Sequence, residues 1–476
     1  MLASFVSVLW FLLFTFHDGI TSPAMEKPTA RPVYGHRPFI VGWNVPTQIC
    51  LSRRNVSLDL RLFAFNASPS NGFVDQGFNI FYRDRLGLYP YYKNNVSING
   101  GLPQNASLSA HLSYMQVGIQ EYINKTADEE ALSVIDWEEW SPLWARNWNA
   151  MDIYRQFSRK LVAARHPTWS DANVSKQAQH EFETAARNFM EQTILHARKL
   201  RPHQLWGFYL FPDCYNHFPI HNMESYTGEC ADVEISRNDQ LYWLWEASTA
   251  LFPSIYLNAV LESSYEIRKF VRFRVKEAMR VANKYHKDYA LPVYPYAEIT
   301  YLGTLDPLSQ MDLISTIGES AAQGAAGIIF WGDTDYVVNQ NACPMAKSYI
   351  DGRLGEYIVN VTTAAEHCSR FLCNSNGRCL RKADNTDSFL HLNPDSFRIV
   401  HAPKDVDTPM PMWAEGELST KDKHYLSSNF RCQCYVDWNG DNCGTKESIS
   451  PRSGATGLRG GHMLLGSLLA LLLLQL

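Results

Sequence analysis

The chain carries little charge of either sign: 19% of its 476 residues are Asp, Glu, Lys or Arg, and the net charge is −5. No basic excess draws a nucleic acid to the surface as a whole, and a polyanion would have to be gripped by local arginines. Metal chemistry is short of material as well. No histidine pair has ligand spacing on a recognisable scaffold, and the ten cysteines, an even number, fit disulfides in an oxidising compartment. Neither a metal nor a cofactor is therefore expected. An apolar run long enough to span a membrane is also missing. The leucine-rich stretch Met463 to Leu476 has 14 residues, against the roughly 20 a spanning helix needs.

What is present points to secretion. Met1 to Phe16 is almost uninterrupted hydrophobic, and small polar residues follow to Ser22, which resembles a signal peptide over 1–22 despite lacking a basic start. Asn-x-Ser/Thr sequons at Asn55, Asn95, Asn105, Asn124, Asn173 and Asn360 fit glycosylation on that route. A seventh, at Asn66, is followed directly by Pro69. At the other end, Ser453 and Gly454 are small residues suited to attachment of a glycosylphosphatidylinositol (GPI) lipid. A polar, glycine-rich linker (446–462) surrounds them, and the uncharged tail (463–476) is of the kind that is removed. The expected location is the cell surface, with lysosomal delivery left open.

Short apolar runs rich in β-branched and aromatic residues recur along the chain: Phe39–Val45, Phe78–Tyr82, Ala131–Trp137, Leu205–Phe211, Ser254–Leu257, Leu291–Ile299 and Gly327–Trp331. Helical segments lie between them. The clearest is Lys176–Lys199, where Ala178, Phe182, Ala185, Ala186 and Phe189 share a face before Pro202; Val271–Lys287 and Asp312–Ala326 read the same way. Such alternation predicts an α/β fold of parallel strands, closed into a barrel or opened into a doubly wound sheet. Many strand ends are polar or aromatic: Asn44, Tyr82, Asp136 with Glu138, Tyr209 with Asp213, Tyr256, Glu298, and Trp331 with Asp333. In a barrel these ends meet at one mouth.

The stretch Val134-Ile135-Asp136-Trp137-Glu138-Glu139-Trp140 carries the chemistry. In a strand, residues i and i+2 face one side about 6.7 Å apart. Two carboxylates roughly 6 Å apart repel by about 2.8 kcal/mol at an effective dielectric near 20, or roughly 2 pK units. One of the pair then holds a proton while the other stays negative, as glycoside hydrolysis requires. An acidic pair facing water, or a pair of metal ligands, has the same spacing.

After Asn360 the helical period ends and six cysteines crowd together. Cys432-x-Cys434, followed by eight residues and Cys443, resembles the end of an epidermal-growth-factor-like module, although six cysteines allow fifteen pairings. The resemblance implies Cys368 with Cys379, Cys373 with Cys432, and Cys434 with Cys443. Asp437 stands where that module usually has glycine. Of the remaining four cysteines, Cys214 and Cys230 are near enough to staple one loop, which leaves Cys50 and Cys343.

Taken together, the dispersed motifs Lys27-Pro28-Thr29, Ile80-Phe81-Tyr82, Gly101-Leu102-Pro103-Gln104-Asn105, Ile135-Asp136-Trp137-Glu138, Gly207-Phe208-Tyr209, Phe211-Pro212-Asp213-Cys214-Tyr215-Asn216-His217 and Gly318-Glu319-Ser320-Ala321-Ala322 resemble the animal hyaluronidases, glycoside hydrolase family 56, and among them the GPI-anchored type. That resemblance implies a distorted (β/α) barrel over 23–365 and a disulfide-rich module over 366–445. It also implies a retaining, substrate-assisted cleavage of β-1,4 bonds in hyaluronan. By the same resemblance Glu138 is the acid and base, and Asp136 orients the substrate acetamide. Tyr82, Tyr209, Asp213, Ser254, Tyr256, Arg274, Tyr296 and Trp331 are then cleft positions. Three departures from the family pattern push toward weaker or acid-dependent binding: Ser141 in place of arginine, Glu298 in place of glutamine, and Gly332-Asp333 in place of an apolar continuation. They keep alive a binding or receptor protein with little turnover, and a chondroitin-cleaving enzyme of the same fold is a further alternative.

Overall fold

The computed structural model describes residues 27–67, 77–123, 129–217, 223, 225–332, 338–403 and 406–447. The expected signal peptide, the lipid attachment at Ser453 and Gly454, Asn124 and Asp333 lie outside them.

Eight strands form in the first 332 residues: β1 (Ile40–Asn44), β2 (Phe78–Tyr82), the hairpin β3 (Tyr91–Lys93) and β4 (Val96–Ile98), β5 (Ala131–Asp136), β6 (Gln204–Phe208), β7 (Tyr296–Ala297) and β8 (Gly327–Trp331). All but the hairpin pair in parallel, as two three-stranded sheets ordered β2-β5-β6 and β1-β8-β7. Isolated bridges join the sheets through residues 251–254: Tyr209 to Phe252, Leu251 to Val293, and Ser254 to Tyr296. On the other flank, Ala64 and Ala67 donate backbone hydrogen bonds to Val41 and Trp43, each at 2.8 Å.

The first strand thus pairs with the last, which a wrapped sheet requires and a doubly wound one does not. Among the described residues, however, no ladder joins 64–67 to β2. A closed barrel is therefore not observed; between the two edges Phe65 stacks on Phe78 at 4.7 Å, and Ala67 and Ile80 join the same core. The run Ser254–Leu257 forms a single bridge rather than a strand, and Leu291–Ile299 shrinks to two residues and a bridge. Pro253, Pro292 and Pro295 lie in or beside these runs and lack the N–H that a ladder needs.

The helix Asp171–Leu200 begins at Ser170, whose hydroxyl caps Asn173 N–H, and buries Ala178, Phe182, Ala186, Phe189 and Ile194; Ala185 lies off that face, half-buried. The segment expected as a helix over Asp312–Ala326 is helical from Gln310 to Ala322, widening to a π turn over Ile314–Gly318, and ends short of Ala326. Glu319 is fully buried there, between Arg272 and Arg381.

Beyond residue 354 the helix Gly355–Cys373 runs straight across the expected 365/366 boundary. Strands β9 (Gly377–Arg381), β10 (Phe397–His401), β11 (Met412–Gly416) and β12 (Phe430–Cys434) form two antiparallel pairs, β9 with β12 and β10 with β11. Phe397 and Phe430 of these strands, with Phe389 and Leu390 between β9 and β10, share one hydrophobic core with Val41, Ile328 and Phe330. Disulfides join Cys50 to Cys343, Cys214 to Cys230, Cys368 to Cys379, Cys373 to Cys432, and Cys434 to Cys443. Asp437 takes the left-handed backbone (φ 75°) that a glycine would adopt freely, and its carboxylate is held by Arg31 at 2.8 Å. Of the sequon asparagines, Asn55, Asn95, Asn105 and Asn173 are exposed, whereas Asn360 lies inside a helix and accepts Leu392 N–H at 3.1 Å. No described helix is long and apolar enough to cross a membrane.

Candidate active site

Asp136 ends β5, in register with Tyr82 at the end of β2. There the chain leaves the ladder, because Trp137 turns into the core. It stacks on Tyr89 at 4.4 Å and meets Phe208 edge-on at 5.5 Å. Trp140 stacks on the same tyrosine at 5.2 Å and donates its indole N–H to Pro90 O. These tryptophans are 4% and 3% exposed, so they anchor the loop and offer no face to a sugar.

With Trp137 fixed, Asp136 and Glu138 remain electrostatic neighbours at the end of β5, and each carboxyl bears on the protonation of the other. Burial and the adjacent Glu138 push Asp136 up to about 8, and burial pushes Glu138 upward too. The proton belongs to the pair. Asp136 is the inner, half-buried member, while Glu138 keeps access to solvent at the floor of the cleft. The third acid of the run, Glu139, is engaged by Arg83.

Aromatic residues from four other strand ends close around the pair. Tyr209, just beyond β6, lies beside Tyr256 with ring centroids 6.3 Å apart. Tyr256 stacks against Trp331 with ring centroids 6.2 Å apart, and the Trp331 indole donates to the Tyr82 hydroxyl at 3.4 Å. Burial raises the phenol pKa of Tyr82, Tyr209, Tyr256 and Tyr296, so all four remain hydroxyl donors through the physiological range.

Other expected positions sit in the wall. Tyr296 is 1% exposed and packs edge-on against Tyr209 at 5.2 Å. Arg274 is buried, donating to Asn216 Oδ1 and to Ser254 O, each at 2.8 Å, with Asp213 3.8 Å away. It braces Ser254 and Asp213 from behind. Asp213 reaches a cavity that also holds Glu138 and Ser141. Glu298 is half-buried, and its charge acts on the Tyr256 hydroxyl.

The sequence reading missed Arg146, which lines the same cavity and donates to Asp213. The available signal was the run Trp144-Ala145-Arg146-Asn147-Trp148, an arginine between aromatics just after the carboxyl pair. A larger cavity, about 250 Å³, lies between the helices of the C-terminal region, lined by His391, Phe397 and Leu426. It holds no carboxyl pair. Among the described residues no cluster of His, Cys, Asp and Glu is arranged to hold a metal ion.

The chain resembles known proteins in both sequence and fold. The glycoside hydrolase family 56 profile, described as hyaluronidase, matches residues 28–447. Hyaluronidase-2 of Mus musculus is 51% identical over 440 residues, 92% of each chain. Hyaluronidase-2 of Homo sapiens is 51% identical over 452 residues, 94% of each chain. The crystal structure of bee venom hyaluronidase in complex with a hyaluronic acid tetramer superimposes with a TM-score of 0.59 at 30% identity, covering 67% of this chain and 98% of that one. An α/β frame with this carboxyl pair at its strand ends and a family match over nearly the whole described length lead to one assignment: the chain belongs to the hyaluronidase family of glycoside hydrolases.

Proposed function

We propose that the protein cleaves hyaluronan internally at its β-1,4 bonds, with retention of configuration and with the substrate's own acetamide as nucleophile. The observation that carries this reading is the pair of neighbouring carboxyls, Asp136 and Glu138, at one strand end, both pushed upward by burial. An ordinary retaining pair stands about 5–5.5 Å apart and an inverting pair about 6.5–9.5 Å apart, on opposite sides of the sugar ring. Asp136 and Glu138 come from the same strand end and face one side of the cleft, which favours an attacking atom supplied by the substrate.

In the first step the acetamide N–H engages Asp136, and the shared proton settles on Glu138. Glu138 delivers it to the leaving oxygen as the glycosidic bond breaks. The acetamide carbonyl oxygen bonds to the anomeric carbon, and anionic Asp136 stabilises the cationic oxazolinium ring. Glu138, now a carboxylate, then takes a proton from water as that water attacks the same carbon and the bond from that carbon to the acetamide oxygen breaks, restoring the acetamide. Two inversions give net retention. Tyr209 donates to the acetamide oxygen, and Tyr82, Tyr256 and Trp331 wall the acetamide pocket. The distorted barrel implied by the family is our reading of the open arc of strands.

Activity is favoured at mildly acidic pH, where the pair keeps its proton, and falls as pH rises through about 8. The test is incubation of the purified protein with hyaluronan, followed through new reducing ends and the anomeric proton signal. Internal cleavage releasing the β-anomer is expected. Initial release of the α-anomer, or binding without cleavage, sinks the mechanism, and the latter favours the receptor alternative, which Ser141 and Glu298 support. Chondroitin in a parallel incubation separates the two substrates.

The surface location rests on the sequence pattern of residues 446–476. Phosphatidylinositol-specific phospholipase is expected to release the protein from intact cells; retention after treatment rejects the lipid anchor.

A further inference from the structure

The cavity of about 120 Å³ beside Glu138 is walled on its Ser141 side by a cluster that the cleavage chemistry above does not use. Arg146 enters it from the turn Trp144–Arg146. The loop is locked by Asn147, which accepts Ser141 N–H at 2.9 Å and donates to Ser141 O and Leu143 O at 2.8 and 3.1 Å. The guanidinium lies 4.5 Å from the ring centre of Tyr215 and 5.5 Å from that of Trp148. These rings meet at 5.1 Å and are 40% and 41% exposed. They are the open aromatic faces near the carboxyl pair that Trp137 and Trp140 are not.

Arg146 pairs with Asp213 and Glu234, Arg237 pairs with Glu234, and Arg274 stands 3.8 Å from Asp213. A guanidinium has five N–H donors. Asp213 and Glu234 take one each from Arg146, so three remain for a further carboxylate.

We propose that Arg146, with Trp148 and Tyr215, forms a subsite for a uronate of the polymer, stacking its ring and pairing its carboxylate, and supplies from five residues downstream the charge that Ser141 lacks. This rests on the hyaluronan reading above. Arg146 is thereby a specificity-determining residue, and Asp213 holds its fork in place.

The test compares native hyaluronan with hyaluronan whose carboxyl groups have been reduced to alcohols. Arg146→Ala is expected to lower kcat/KM on the native polymer about tenfold, through KM, and to narrow the preference for native over reduced polymer by the same factor. Arg146→Lys recovers part of that preference, because charge is kept and the fork lost. Trp148→Ala weakens both polymers, since stacking ignores charge. Binding of native and reduced oligosaccharides to Glu138→Gln, with and without Arg146→Ala, gives the same comparison without turnover. An equal loss on both polymers, or a loss confined to kcat, overturns the subsite and leaves Arg146 as a support for Asp213. An unchanged KM on native polymer overturns it as well. A parent protein that neither binds nor cleaves native hyaluronan overturns the substrate reading along with it, whereas cleavage insensitive to Arg146→Ala overturns the subsite alone.

Discussion

Glu138→Gln lowers kcat on hyaluronan by about 10²–10⁴-fold, the contribution typical of one general acid–base group, with little change in KM. The amide keeps the size of the side chain, but it has no proton to deliver and cannot accept one from water. Asp136→Asn should cost a comparable factor, because the neutral amide no longer balances the cationic ring. The two variants part company in stability. Asp136 has a folded pKa of about 8, well above the unfolded value near 3.9, so between these limits the folded protein holds a proton that the unfolded chain has released. Its contribution to stability is therefore fully present below about pH 4 and is lost as pH rises through about 8. Asn at this position removes the dependence. Thermal melts of Asp136→Asn against the parent are expected to coincide near pH 4 and to diverge in favour of the variant toward pH 8. A variant less stable than the parent at pH 8 rejects the buried shared proton. Activity falling while stability rises separates chemistry from folding, which a rate loss alone does not.

The second large effect lies on the far side of the core. Glu319 is 0% exposed and accepts from Arg272 Nε at 2.9 Å and Nη2 at 3.2 Å, and from both terminal nitrogens of Arg381. Arg272 lies on the helix Tyr265–Lys284, and Arg381 ends β9 of the C-terminal region. One carboxylate thus ties that region to the strand-bearing part of the molecule. Removing it leaves two largely desolvated guanidiniums facing each other, with Asp387 on Arg272 as the remaining carboxylate. Breaking such an arrangement from one side costs about 3–5 kcal/mol. Glu319→Gln is expected to lose that much in denaturant unfolding and to expose residues 382–388 to limited proteolysis. Adding Arg381→Met to Glu319→Gln should restore part of the loss, since the stranded charge goes with it. A double variant no better than the single one refutes the account.

Several features were legible from local pattern. Strands β1, β2, β5 and β8 coincide with runs of β-branched and aromatic residues uninterrupted by proline, and the helix Asp171–Leu200 follows its apolar stripe. Where prolines interrupt, at 253, 292 and 295, the hydrophobic signal survived but the ladder is reduced to isolated bridges and scattered hydrogen bonds. The π turn over Ile314–Gly318 was invisible because the apolar period continues through it; Glu319, which follows it, is buried against arginines from distant segments.

The sequence by itself determined the kinds of group available: two carboxyls two residues apart, a set of strand-end tyrosines and tryptophans, and five pairs' worth of cysteines. Only the tertiary structure decided how the carboxyls are set, because that depends on Trp137 packing on Tyr89 and on Phe208 of β6 as the chain leaves the ladder. It alone brought Arg146 to the cavity that Glu138 and Ser141 line. The physical reason is common to both: local spacing sets which face a side chain starts from, but its final partner and its protonation are set by burial against residues far away in the chain.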